Sequence, residues 1–76
     1  MNLEHGPQWS ARIERLRDEA RSANSPKRAA RHWVDAGRLL EVAAGDVVGA
    51  EQAYRAALAA DSTDVASTRH LRRLLE

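Results

Sequence analysis

The chain has 76 residues, with 12 basic against 11 acidic side chains and a formal net charge of +1. That is room for one small domain, and the charge gives no global pull toward nucleic acid or anionic lipid. The absence of cysteine excludes a disulfide framework, a thiolate nucleophile and sulfur-ligated zinc.

Alanine occurs 15 times and leucine eight times, against five valines and one isoleucine. This is a helix-forming composition poor in the β-branched residues a sheet prefers, so an all-α fold is expected. No run approaches the ~20 apolar residues of a membrane span. The N-terminus has no basic region followed by an apolar stretch, so the sequence reads as cytoplasmic. The bias to arginine and alanine suggests a GC-rich bacterial source.

Residues 1–6 read as a flexible lead, and residues 7–76 as one helical domain. From Pro7 to about Ala23, Trp9, Ile13, Leu16, Ala20 and Ala23 recur at spacings of four and three. They form one apolar stripe on an otherwise charged helix. Asn24 is expected to close it in a left-handed turn. Ser25-Pro26 is a start signal, an N-cap followed by proline at the first helical position. The second helix is predicted from Pro26 to about Ala44, with Ala30, Trp33, Gly37, Leu40 and Ala44 inward. Gly37 costs a helix interior about 1 kcal/mol relative to alanine and so marks a close approach. Gly45-Asp46 separates this helix from a third, predicted from Val47 to Ala60, whose apolar face is Val47, Ala50, Ala53, Tyr54, Ala57 and Leu58. The run Asp61-Ser62-Thr63-Asp64 is a turn rich in capping side chains. A fourth helix follows to Glu76, with Val65, Thr68, Leu71, Leu74 and Leu75 on its apolar side.

The stretch Ala30-x-x-Trp33-x-x-Ala36-Gly37-x-x-Leu40, then Gly45-Asp46, then Ala50-x-x-x-Tyr54-x-x-Ala57-Leu58-x-x-Asp61, resembles a tetratricopeptide repeat. The resemblance covers about residues 30–63 and implies antiparallel helical hairpins, a solenoid fragment of about four helices with residues 64–76 as the next helix. Trp33, Gly37, Leu40, Gly45, Ala50, Tyr54 and Ala57 would be its structural positions. Gly37 and Ala50 would bring two helices together backbone to backbone. Three positions depart from the pattern. Ala36 stands where leucine is common, and Ser62 where proline is common. The spacing from Trp33 to Gly45 is one residue longer, which is expected to shift the helix crossing or disturb the groove.

By the same resemblance the first helix of the hairpin lines a concave, partner-binding surface. Here that surface would carry Arg31, Val34, Asp35, Arg38, Glu41 and Val42, against an ordinary solvated helix face as the plain alternative. Val34 and Asp35 stand where chaperone-binding members carry a lysine and an asparagine, so no such clamp is expected. A protein or peptide partner is the first expectation. The second is self-association, since one full repeat is fewer than the ~3 that solenoids need. Trp9, Ile13 and Leu16 at one end, and Leu71, Leu74 and Leu75 at the other, would stack on or swap with copies.

A helix-turn-helix nucleic-acid binder is a further alternative. Asp35 and Glu41 interrupt the basic residues and disfavour it. His5, His32 and His70 are not spaced as metal ligands and are expected at the surface. Asp61 and Asp64 are expected as caps. No catalytic site, metal site or cofactor is expected.

Overall fold

The chain is described by a computed structural model covering residues 5–76, with side chains from Gln8 onward. Four helices follow one another: α1 (His5–Ser22), α2 (Pro26–Arg38), α3 (Val47–Ala60) and α4 (Val65–Leu75). α2 runs on into a π-helical turn, Leu39–Ala43. The all-α expectation holds, with no strand among the described residues. Of the expected N-terminal lead, residues 1–4 lie outside the described residues. Residues 5 and 6 belong to α1, which starts at His5 rather than Pro7. Pro7 is tolerated there because the first helical turn needs no N–H donor.

Local chemistry sets the other helix starts. The Ser25 hydroxyl accepts from the Arg28 backbone N–H at 3.1 Å, with Pro26 at the first helical position. Asp46 accepts from the N–H of Gly49 at 2.9 Å, and Asp64 from that of Ser67 at 2.8 Å. Each satisfies a donor that the first turn leaves without an intrahelical partner. Asn24 does not take a left-handed conformation: the one positive φ among the described residues is at Gly45, 67°. There glycine lets the chain reverse as the Asp46 N–H returns to the Leu40 carbonyl at 2.7 Å.

The π turn lies between Trp33 and Gly45. The Ala44 N–H donates to the Leu39 carbonyl five residues back, at 3.0 Å. A wide turn takes in one extra residue without breaking the helix. The consequence is local: Val42 is thrown outward at 80 % exposure, and Ala44, expected inside, is exposed.

α2 is the hub. It packs against α1 on one side and α3 on the other, and α4 packs on α3 and touches α2. The chain is only 13 Å across its thinnest direction. The core is accordingly narrow: Ile13, Ala30, Val34, Leu40, Ala50, Ala53, Tyr54 and Ala57, flanked by half-buried Trp9, Trp33, Leu39, Leu71 and Leu74. Gly37 does not bring backbones together as expected. A Cβ built there would lie 2.5 Å from Cε1 of Tyr54, so the glycine makes room for an aromatic ring. The apolar face of α3 is as expected except at its first residue, whereas that of α4 is rotated. Val47 is exposed on α3. On α4, Val65 and Thr68 face out while Ser67 is fully buried. The Ser67 hydroxyl donates to the Asp64 carbonyl at 3.1 Å, so its burial strands no donor.

Candidate binding surface

The exposed side of α2 carries Arg31, Asp35 and Arg38, at spacings of four and three, and Val42 beyond them on the π turn. These four expected partner-binding residues share one strip. The other two do not belong to it. Val34 is only 7 % exposed, because α2 is covered on both flanks and its buried arc is wider than one stripe. Glu41 turns toward α3 and α4.

A shallow groove lies on each side of the strip. Between α1 and α2, Arg12, Leu16, Asp35, Arg38, Leu39 and Val42 line about 420 Å³. On the other side, Lys27, Arg31, Val34 and Asp35 face the α3–α4 connection and the start of α4 at Asp61, Thr63, Asp64, Val65 and Ala66. Asp35 is common to both. The second groove mixes charges, with Lys27 and Arg31 against three aspartates. Asp61 is held below the usual carboxylate range by the hydroxyl and N–H of Thr63.

Of the residues expected to mediate self-association, Ile13 is enclosed in the core at 4 % exposure. Trp9, Leu16, Leu71 and Leu74 are half-buried, and Leu75 is 55 % exposed. The structural positions Gly37, Leu40, Ala50, Tyr54 and Ala57 are buried, whereas Gly45 is exposed in its turn. Trp33 is half-buried, with the Arg21 guanidinium 5.5 Å from its ring centre, a cation–π distance.

Sequence reasoning missed one cluster entirely. The Tyr54 hydroxyl donates to Oε1 of Glu41 at 2.9 Å. Arg73 clamps the same carboxylate through two contacts, 2.7 and 3.1 Å. His70, expected as a surface histidine, stacks on Tyr54 with ring centres 5.1 Å apart and planes 10° from parallel. The cluster ties α4 to α3 and to the π turn. Arg73, above all, holds Glu41 below the usual glutamate range. Burial pushes the Tyr54 phenol well above its usual range, and the Glu41 carboxylate adds to that.

His70 is held below its usual value by burial first, then by the guanidiniums of Arg73, Arg38 and Arg69; Glu41 opposes them. An Arg73 N–H lies 3.2 Å from Nδ1 of His70, where only a neutral ring can accept. Stability therefore depends on pH. Below about pH 6.5 the unfolded chain binds a proton at His70 that the folded chain resists, and folding weakens. A second decline follows as pH falls through the lowered range of Glu41. Thermal unfolding followed by circular dichroism from about pH 7.5 to about pH 2 should show both steps, and His70→Gln should remove the first alone. A first step that persists in His70→Gln would place it on another group.

Among the described residues no three His, Asp or Glu side chains converge as metal ligands, and no helix is long and apolar enough to cross a membrane. No family model, curated protein or solved structure matches the chain.

Proposed function

We propose that the chain is a protein–protein interaction module that presents the outward strip of α2 to a partner peptide or protein. One observation carries this reading. The strip sets the ionised groups of Arg31, Asp35 and Arg38 beside an 80 % exposed valine, Val42, between two grooves. None of those three charges has an opposite charge within 4 Å among the described residues. By contrast, Glu14, Asp18, Glu41 and Glu51 are each paired with an arginine. Charges left open beside apolar surface are what a complementary partner engages. The tetratricopeptide-like order of Trp33, Gly37, Leu40, Ala50, Tyr54 and Ala57 supports a helical-repeat reading, as does the chain-order packing of the helices. No catalytic role is assigned.

Self-association is the second reading. It retains the outer edge of α4, where Leu75 is exposed beside half-buried Leu74. At the other end Ile13 is enclosed, and half-buried Trp9 and Leu16 are what that scheme retains.

The test is charge reversal. Arg31→Glu with Arg38→Glu should abolish capture of the proteins bound by the unaltered chain. Helicity should stay unchanged, because both side chains are exposed. Unchanged capture would mean that partners bind elsewhere on the chain.

A further inference from the structure

The two grooves beside α2 differ in charge, and the difference points to a partner. The α1–α2 groove has an apolar floor, Leu16, Leu39 and Val42, with Arg12 contributed by α1 and Arg38 by α2. Neither guanidinium meets a carboxylate within 4 Å among the described residues. The acids that could have neutralised them are engaged elsewhere. On α1, Glu14 pairs with Arg17 at 2.6 Å and Asp18 with Arg21 at 3.2 Å, while Glu19 faces His32 at 3.7 Å. Asp46, Asp61 and Asp64 hold backbone N–H groups. The formal charge of +1 for the whole chain therefore conceals a groove with two open cations and one carboxylate, Asp35.

We infer that the α1–α2 groove binds an acidic amphipathic peptide. Its apolar side chain would sit on Leu16, Leu39 and Val42, between carboxylates that reach Arg12 and Arg38. The inference rests on the reading of α2 as the partner-binding face and names the chemistry of the partner. Guanidinium–carboxylate pairing is directional and two-pronged, so arginines at the rim set the register, while the apolar floor supplies contact area. Asp35 completes the pattern by favouring a basic residue on the partner beside the acidic ones.

A second copy of the chain offers this groove few open acids, because Glu14, Asp18, Glu41 and Glu51 are each paired with an arginine. A nucleic-acid strand fits poorly too. Asp35 would face its phosphates, and no aromatic side chain lines the groove for bases to stack on.

The experiment is selection of displayed random 12-residue peptides on the intact chain, then fluorescence anisotropy of those recovered. The expected peptides are net acidic with a large apolar residue between Asp or Glu residues. Their binding weakens with salt. It falls at least about tenfold in Arg12→Glu/Arg38→Glu and in the single exposed-site variant Val42→Asp. A charge-inverted peptide, with Lys for each acid, should bind Arg12→Glu/Arg38→Glu better than it binds the unaltered chain.

Neutral or basic peptides indifferent to Arg12 and Arg38 would overturn the inference. If Arg31→Glu still weakened them, the reading of α2 as a binding face would stand. Recovery of no peptide would overturn both. Binding of a single-stranded oligonucleotide that is lost in Arg12→Glu/Arg38→Glu, with no acidic peptide bound, would reassign the groove to nucleic acid.

Discussion

Tyr54→Ala is expected to remove a large share of the stability of the chain. Tyr54 is fully buried and is the largest fully enclosed side chain. Its ring fills the space over Gly37, stacks on His70, and places its hydroxyl on Glu41. Truncating a buried aromatic costs about 3–5 kcal/mol. At 0.05–0.15 kcal/mol per residue, a domain of this length is stable by about 4–11 kcal/mol. The variant should therefore denature at a far lower urea concentration when followed by far-UV circular dichroism. Tyr54→Phe is the informative companion. It keeps the ring and loses one hydrogen bond, while Glu41 keeps Arg73, so a cost of about 1 kcal/mol is expected. If Tyr54→Ala cost no more than Tyr54→Phe, the ring would not be what holds the core together.

Gly37→Ala has the second largest expected effect, and its direction runs against helix propensity. In an exposed helix the change would stabilise by about 1 kcal/mol. Here the new methyl would lie 2.5, 2.8 and 3.0 Å from Cε1, Cδ1 and Cζ of Tyr54. That ring has little freedom to move, since His70 is stacked on it and Glu41 holds its hydroxyl. Overpacking of this kind costs about 1–3 kcal/mol, so the net result should be destabilisation, with Gly37→Val worse. A double-mutant cycle with Tyr54→Leu tests the cause. Removing the ring should relieve the penalty, and the two changes should be strongly non-additive. Stabilisation by Gly37→Ala in the unaltered background would contradict the packing.

The contrast between local and distant chemistry explains what was legible in the sequence. The starts of α2, α3 and α4 were readable because Ser25, Asp46 and Asp64 each cap a backbone N–H three residues on. The helical content followed from composition and spacing. The faces were harder. The π turn takes in one extra residue directly after α2 and so redirects Val42 and Ala44, which no 3.6-residue period anticipates. On α4, a buried serine shifted the inward face, because Asp64 and the local backbone satisfy its polar groups.

Within the candidate surface, Arg31, Asp35, Arg38 and Val42 followed from helical spacing. Val34 was misplaced because coverage of α2 by neighbours on both flanks cannot be read from α2 alone. The Glu41–Tyr54–His70–Arg73 cluster had no local signal at all. Tyr54 meets Glu41 across 13 residues and Arg73 meets it across 32.

One chain closes its own core and leaves the α2 strip open to a different protein. Sedimentation equilibrium over a wide concentration range, with far-UV circular dichroism on the same samples, tests this most directly. The expected result is a helical monomer throughout, with helicity independent of concentration. Helicity that rises only as copies associate would contradict it, and would mean that the core is completed by a second chain.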